Sequence, residues 1–371
     1  MNDGLESNDS YLYEQVVGKI AGLIGQRVLR PGDRVPSVRR LSSQMDVSIS
    51  TVLQAYLLLE SKGLIEARPQ SGYYVKLRLE KLPPEPKTSS PSASVTPVGV
   101  SELVSKVLEA ARDPEIVPLG AATPSHELLP VNQLNRAIAA IAKRRGPAAI
   151  NYDLPPGNEA LRRQVARRSL DWGCNLSLND IVTTCGGMEA LNLCLRAVAK
   201  PGDTIVIESP TFFGILQVIE SLGMKALEIA THPRDGVDLE ALEHAIKRNR
   251  VKACIMIPNF NNPLGSCMPD KNKRALVGML SRREIPLIED DIYGDFYFGN
   301  GRPKTVKAFD REGLVLLCSS FSKTLAPGYR VGWTAPGRFK FQVEQLKFMN
   351  TLATATLPQM AVAQFLEKWG L

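Results

Sequence analysis

A stretch rich in proline and serine divides this chain, and that division limits every fold the chain can adopt. Residues 81–98 read KLPPEPKTSSPSASVTPV, with five prolines and four serines. Proline fixes φ and lacks a backbone donor, and serine adds nothing to a core, so an extended linker is expected here. The sequence therefore predicts a first domain over residues 1–79, a linker over 80–99 and a second domain over 100–371.

The charge of the chain is concentrated in the first domain. Of the 371 residues, 44% are hydrophobic and 22% charged, which excludes global disorder. The net charge is +7, and the segment 19–79 alone holds ten basic and four acidic residues. A basic module on a nearly neutral body indicates a polyanionic partner for that module.

Cysteine and histidine usage argues against disulfides and metal. None of the six cysteines forms a C-x-x-C pair, and the three histidines are scattered. We expect reduced thiols and no metal site. The N-terminal MNDGLESNDS does not resemble a signal peptide, and no run approaches the ~18 apolar residues of a membrane span. The sequence thus predicts a cytoplasmic protein.

The first domain has the pattern of a winged helix-turn-helix. Helical spacing of apolar residues covers 12–28, and two further helices are expected over 37–45 and 48–62, with Ser37 and Ser48 as N-caps. Short strands within 64–75 read as a hairpin wing. The last of these helices would then lie in the major groove of DNA. The candidate DNA-binding residues are Arg39 and Arg40 for phosphates, and Ser48, Ser50 and Thr51 for base edges.

The first domain closely resembles the GntR family. The resemblance rests on PGDRVPSVR at residues 31–39, on Val47-Ser48 before the third helix, and on Ser71-Gly72-Tyr73 in the wing. It implies that Arg39 and the start of the third helix contact DNA. Ile49 stands where an arginine is common in that family, so we expect a different base-reading code.

The body alternates strand-like and helix-like segments. This alternation is typical of an α/β fold around a largely parallel sheet. The predicted strands cover residues 181–184, 204–207, 253–257, 287–289 and 314–318, and the predicted helices cover 189–198, 214–222 and 270–282.

Three residues of the body carry candidate chemistry. Lys323 follows an apolar strand among small hydroxyl residues, so it is poorly solvated and could act as a nucleophile. Asp290 ends another apolar strand and could pair with a buried ring cation. Tyr293, three residues further, could donate a hydrogen bond to an oxyanion.

Further segments complete a pattern. Asn262 supplies an amide donor in a turn, Gly187 and Met188 open a helix whose N–H groups form an anion cradle, and Phe212 could stack on a ring. A nucleophilic lysine, an acid for a ring nitrogen, donors for a phenolic oxygen and a phosphate cradle together describe pyridoxal 5′-phosphate (PLP).

The body resembles fold-type-I, class I/II aminotransferases over about residues 113–371. The resemblance implies a PLP-dependent transferase fold in which Lys323 forms the internal aldimine and Asp290 pairs with the pyridine nitrogen. Asn262 and Tyr293 would bond the 3′ oxygen, and Phe212 would stack on the ring. The implied phosphate ligands are Gly187, Met188, Ser320 and Arg330, with Tyr152 reaching the phosphate of a partner subunit.

The whole chain resembles the MocR subfamily of bacterial transcription regulators, which are typically dimers. This implies a homodimer acting at the nucleoid, in which the body senses PLP or an amine and the heads bind two half-sites. The family continues beyond residue 371 with a further domain of roughly 100 residues that carries an arginine for a substrate carboxylate. Since this region is absent from the sequence, full transamination is not expected.

Three functions remain open at this stage. The first is a PLP-responsive regulator, the second an active aminotransferase with an accessory DNA-binding head, and the third a DNA-binding protein with a purely dimerising body. The complete PLP residue set argues against the third function, and the missing carboxylate arginine argues against the second.

Overall fold

The computed structural model of the chain describes residues 11–76, 84–113, 115–117 and 119–371. The chain divides into two compact units, residues 1–84 and 85–371. In the described part of the first unit, three helices precede a β-hairpin. Their bounds are α1 Leu12–Gly25, α2 Val38–Met45, α3 Ile49–Ser61, β1 Ile65–Arg68 and β2 Gly72–Val75.

Local capping fixes the helix-turn-helix in the first unit. The Ser37 hydroxyl accepts the N–H of Arg40 at 3.3 Å, and the Ser48 hydroxyl accepts the N–H of Thr51 at 3.0 Å. Between them, Asp46 takes the left-handed conformation (φ +53°) that ends α2. The structure therefore contains the winged helix-turn-helix that the sequence predicts.

The first helix ends earlier than predicted. It stops at Gly25, and Val28, expected within the helix, is 62% exposed. Arg27 takes φ +58°, and the N–H of Val28 bonds the carbonyl of Leu23 at 2.9 Å. This is the hydrogen-bond pattern of a left-handed helix termination, so the helix closes well before Pro31.

The second unit is built around one large sheet. Its strands are β3 Thr96–Pro97, β4 Val182–Thr184, β5 Thr204–Ser209, β6 Lys225–His232, β7 Gly236–Val237, β8 Val251–Met256, β9 Leu287–Asp290, β10 Val315–Ser320 and β11 Gly332–Ala335. Its α-helices are α4 Ser101–Ala110, α5 Val131–Arg145, α6 Glu159–Arg168, α7 Gly187–Val198, α8 Phe213–Ser221, α9 Leu239–Arg248, α10 Asp270–Ser281, α11 Lys340–Thr351 and α12 Thr356–Trp369.

The centre of this sheet is parallel, as predicted. The strand order is β3-β6-β5-β8-β9-β10-β11-β4, with β7 paired to β6. Strands β6, β5, β8, β9 and β10 run parallel, whereas β3, β11 and β4 join in antiparallel pairs. Along β5, Ile205 and Ile207 enter the core beneath α7 and α8, and Val206 enters the core beneath α9 and α10. The sheet is therefore buried on both faces, as central parallel strands require.

The parallel arrangement decides where a site can form. Strands β5, β8, β9 and β10 end at the same edge of the sheet, and the chain leaves each through a loop. Ligands of open α/β sheets bind outside this carboxyl edge. The loops after these strands carry Phe212, Asn262, Tyr293 and Lys323.

The segment predicted as a linker is partly packed on the body. Residues 80–83 lie outside the described residues, but Glu85 and the residues after it belong to the second unit. Glu85 makes a two-bond ion pair with Arg234 at 2.7 and 2.8 Å, and Thr96–Pro97 pairs with β6. Val95 and Val98 pack against the two cores of the sheet. Residues 85–99 therefore contain no helix, but they belong to the body rather than lying apart from it.

Two further properties of the described ranges bear on function. No helix within 11–76, 84–113, 115–117 or 119–371 is long and apolar enough to cross a membrane. The six cysteines are free thiols.

Candidate functional site

Most residues predicted to bind PLP line one cavity at the carboxyl edge of the sheet. The cavity measures about 170 Å³, and its apolar wall includes Ala121, Ala122, Leu191, Phe213, Ile257 and Ile292. Its lining includes the following predicted residues: Gly187, Met188, Phe212, Asp290, Tyr293, Ser320, Lys323 and Arg330.

Lys323 is positioned by the loop after β10. Its Nζ donates to the carbonyl of Ala122 at 2.7 Å. Burial lowers the pKa of Lys323, and the nearby Asp290 carboxylate only partly opposes this. A lowered pKa increases the share of neutral amine, which is the nucleophilic form.

Asp290 is the last residue of β9 and is 5% exposed. Burial, with a smaller contribution from the neighbouring Asp291, raises its pKa to about 7. The backbone N–H of Ile292 and the Lys323 ammonium act in the opposite direction. Among the described residues, Lys323 is the only positive charge that lowers the pKa of this buried carboxyl. A cationic partner in the cavity, such as a protonated ring nitrogen, would therefore stabilise its ionised form.

Tyr293 and Asn262 meet beside the cavity. The amide Nδ2 of Asn262 donates to the phenol oxygen of Tyr293 at 3.4 Å. Burial raises the pKa of Tyr293, the Asn262 bond lowers it, and Asp290 raises it. Asn262 itself is not among the lining residues, so it reaches the cavity through Tyr293.

The start of α7 lines the cavity at the position predicted for an anion cradle. The first N–H groups of a helix have no intrahelical acceptor, and here they belong to Gly187 and Met188. Gly186 precedes them with φ +83°, and a Cβ on it would lie 2.3 Å from Nη2 of Arg330. Only glycine permits the guanidinium to approach this closely.

Arg330 is held against this cradle by its own neighbours. It takes a left-handed backbone conformation (φ +52°), and its guanidinium donates to the Cys185 carbonyl at 3.2 Å and the Ser322 hydroxyl at 3.4 Å. The Ser320 hydroxyl lies 3.8 Å from the position of a Cβ on Gly187. A cation, a hydroxyl and the first N–H groups of α7 thus line the same cavity.

The donor set of the cavity fits PLP. The N–H groups at the start of α7, the Ser320 hydroxyl and the Arg330 guanidinium suit a phosphate. Lys323, Asp290 and Tyr293 line the same cavity. Together these groups suit a phosphorylated ring compound.

Glu208 is a residue of this site that sequence reasoning missed. It lies in β5, is 1% exposed, and accepts the N–H of Ile257 at 2.6 Å and the amide of Asn261 at 3.0 Å. These bonds fix the loop that carries Asn262. The only sequence signal was an acidic residue at the end of an otherwise apolar strand.

A buried ion-pair network behind Asp290 was also missed. Arg302 pairs with Asp291, and its Nε donates to Asp295 at 2.7 Å. The Arg302 guanidinium stacks over the Trp172 ring at 4.6 Å. The acidic run at 289–291 was visible in the sequence, but its partner lies eleven residues away across a loop.

A third missed contact fixes the anion cradle from α11. The Glu189 carboxylate accepts the Cys185 N–H at 2.6 Å and Nζ of Lys347 at 2.7 Å. Lys347 is 1% exposed, which is unusual for lysine. Because the two residues are 158 positions apart, no local pattern could have shown the pair.

Tyr152, the remaining residue predicted to bind the phosphate, does not line the cavity. It is 75% exposed. The exposed phenol is available for a contact outside its own chain.

The predicted DNA-binding residues lie at two helix starts in the first unit. Arg39 and Arg40 are exposed in the first turn of α2. The hydroxyls of Ser50 and Thr51 each lie 2.7 Å from the Ser48 hydroxyl at the N-cap of α3. The three hydroxyls therefore form one polar cluster at the start of that helix.

Comparison with known proteins matches each unit to a family. The model of bacterial regulatory proteins of the gntR family matches residues 12–75, and that of aminotransferase class I and II matches residues 114–368. The chain is 42% identical to the uncharacterized HTH-type transcriptional regulator YdcR of Escherichia coli K12, covering 95% of this chain and 75% of that protein.

Two solved structures resemble the body. The multiple substrate aminotransferase of Thermococcus profundus has a TM-score of 0.66 and 26% identity, over 71% of this chain and 67% of that one. LysN, the α-aminoadipate aminotransferase of Thermus thermophilus, solved with N-(5′-phosphopyridoxyl)-L-leucine, has a TM-score of 0.62 and 28% identity, over 73% of this chain and 71% of that one.

Fold and comparisons together define a DNA-binding head joined to an aminotransferase-type body. The chain belongs to the aminotransferase class I and II family and to the gntR family, in the combination found in MocR-type transcription regulators. It is a transcription regulator of that type.

Proposed function

We propose that the body holds PLP on Lys323 and that the state of this site sets how strongly the heads bind DNA. The observation that carries the proposal is the convergence of eight predicted residues on one cavity. The regulator would act on the nucleoid, in the bacterial cytoplasm.

The residues of the cavity have distinct tasks in this proposal. When bound, PLP supplies an electron-withdrawing ring that acidifies a proton next to an attached amine nitrogen. Asp290 would hold the proton on the ring nitrogen, and Tyr293 would donate to the ring oxygen. Phe212 would cover one ring face, and the start of α7 with Ser320 and Arg330 would bind the phosphate.

The hydrogen bond made by the free amine of Lys323 supports a sensing role for the site. The amine donates to the carbonyl of Ala122, in the segment before α5. If PLP occupies the Lys323 amine, the hydrogen bond to Ala122 is lost. A small amine that displaces Lys323 from PLP would free the amine to form this hydrogen bond again. The effector class is therefore a primary amine or amino acid.

A reduction experiment tests the cofactor assignment. After incubation with PLP and desalting, the full chain should show a visible absorption band that borohydride abolishes, with the mass increase on the peptide containing Lys323. Lys323→Ala should show no band, whereas Lys271→Ala, on the exposed side of α10, should match the wild type. A colourless wild-type protein after excess PLP would contradict the assignment.

A binding titration tests the sensing step. A duplex selected from a random pool by the full chain serves as the probe, with the protein unloaded, loaded with PLP, and loaded in the presence of an amino-acid panel. We expect at least one change in affinity among these states. Equal affinities throughout would leave the body without a sensory role.

The presence of Lys323, Asp290 and Tyr293 around one cavity supports a second candidate, amino-group transfer. With a second 2-oxo acid present to accept the amino group, an active enzyme would release many equivalents of a 2-oxo acid from an added amino acid. Release in proportion to the protein alone, without turnover, favours the sensor.

A homodimer is supported by an exposed apolar face on the body. Tyr152, Phe341 and Met349 are 75%, 67% and 69% exposed, and a groove of about 490 Å³ lies between Leu154 and Phe348. Such a patch on a soluble body suits a second copy of the chain. Sedimentation equilibrium should give twice the chain mass of 40.6 kDa, and a monomer at micromolar concentration would refute this.

A further inference from the structure

The recognition helix α3 exposes apolar side chains where DNA-reading helices usually carry polar ones. Ile49, Leu53 and Leu57 are 49%, 41% and 60% exposed. They are spaced by four residues, so they form one stripe along the helix. The core of the unit lies on another face, where Val52 and Tyr56 are fully buried.

This stripe begins at the part of α3 that meets base edges in a helix-turn-helix. Ile49 is the first residue of the helix, and Leu53 lies one turn further. Exposed Arg39 and Arg40 at the start of α2 supply the positive charge that holds a phosphate backbone nearby. In the usual docking of a helix-turn-helix, the first two turns of the stripe would therefore face the floor of the major groove.

The polar side chains at the same end are already engaged with one another. The Ser48 hydroxyl accepts the N–H of Thr51 at 3.0 Å and contacts the hydroxyls of Ser50 and Thr51, each at 2.7 Å. The first turn also contains no arginine, asparagine or glutamine. The usual bidentate readers of guanine and adenine are thus missing from this turn.

Only one group on the major-groove edges is apolar, the C5-methyl of thymine. We propose that Ile49 and Leu53 recognise thymine methyl groups, so that each half-site carries thymine at the two positions these side chains reach. The proposal rests on DNA binding by the head. A methyl group buried against an aliphatic side chain corresponds to about a fourfold change in affinity, from about 0.8 kcal/mol per buried CH₂.

Deoxyuridine provides the test, because it keeps the pairing and the O4 acceptor of thymine and lacks only the methyl. The full chain selects duplexes from a random pool, and each thymine of the selected duplex is then replaced singly by deoxyuridine. We expect about fourfold weaker binding at two thymines per half-site and no change at the others. Equal affinity for every deoxyuridine duplex would overturn the proposal.

Variants of the stripe assign the positions. Ile49→Ala should remove the sensitivity to deoxyuridine at one thymine and Leu53→Ala at the other. Leu57→Ala, equally aliphatic and exposed but two turns from the start of α3, is the matched control and should keep both sensitivities. Circular dichroism and thermal melting confirm that each variant is folded.

Two other outcomes have definite meanings. If Leu57→Ala weakens binding to every duplex as much as Ile49→Ala and also changes the sedimenting mass, the stripe is a protein contact and the proposal fails. If the wild-type chain enriches no sequence from the pool, DNA reading by the head fails, which is distinct from the loss of methyl recognition alone.

Discussion

Glu208 provides a quantitative test of the electrostatics behind the cofactor site. Its carboxyl is 1% exposed and accepts two hydrogen bonds, from the Ile257 N–H and the Asn261 amide. Burial raises its pKa to about 7, those two bonds oppose the rise, and Asp290 adds to it. Glu208→Gln keeps the size and one oxygen acceptor but removes the titration.

The sign of the effect follows from proton binding. Between pH 4.5 and 7 the carboxyl is ionised in the unfolded chain but still largely protonated in the folded one, so the folded state binds more protons. The stability supplied by Glu208 is therefore full below pH 4.5 and falls as pH rises towards 7. At 1.36 kcal/mol per pKa unit, the loss across this window is about 3 kcal/mol.

Urea unfolding followed by tryptophan fluorescence measures this change. All three tryptophans, Trp172, Trp333 and Trp369, lie in the second unit, so the signal reports the body alone. The free energy of unfolding of the wild type, relative to Glu208→Gln, should fall by about 3 kcal/mol between pH 4.5 and 7.

A matched control uses a carboxyl whose pKa is shifted in the opposite direction. The hydrogen bond from Lys247 lowers the pKa of the partly exposed Glu243, so Glu243 is ionised in both states well above pH 4.5. Glu243→Gln should therefore keep the wild-type pH dependence. If the wild type and Glu208→Gln lose stability in parallel across the window, the buried proton does not belong to Glu208.

Two other substitutions test the body and the head. Arg302→Ala leaves Asp291, 2% exposed, without its cationic partner, so the free energy of unfolding should drop by about 3–5 kcal/mol in the same fluorescence assay; a drop below 1 kcal/mol would show that the pair is not structural. Arg39→Ala should weaken binding to all duplexes and reduce the slope of log affinity against log salt by about one. An unchanged slope would remove Arg39 from the phosphate contacts.

The parts of the structure that sequence reasoning predicted are those with a local cause. Ser37 and Ser48 could be assigned as N-caps because a cap needs only a hydroxyl and the next three residues. Asp290 could be assigned to the end of one apolar strand and Lys323 to the loop after another, and their complementary chemistry towards PLP assigned them to one site. Neither inference needed the order of the strands in the sheet.

The parts that could not be predicted depend on distant pairs. Lys347 reads as an ordinary surface lysine on a helix, and only the fold brings it to Glu189 beneath the anion cradle. The same holds for Glu208 and its partner Asn261, 53 residues apart. Composition and spacing describe the neighbours along the chain, whereas the cost of burying a charge depends on neighbours in space.

Residues 85–99 show most clearly that composition does not predict contacts between distant residues. Their contacts with the body bear on regulation. Their prolines and serines disfavour a helix, and none is present, but that composition does not exclude contacts made by individual side chains. The Ser89 hydroxyl donates to the carbonyl of Ser209, the last residue of β5, and Phe212 of the cavity follows three residues later. A movement of this strand end must either break that bond or move Ser89 with it. The chain that leads from the body towards the head is thus attached to the strand end from which the Phe212 loop departs.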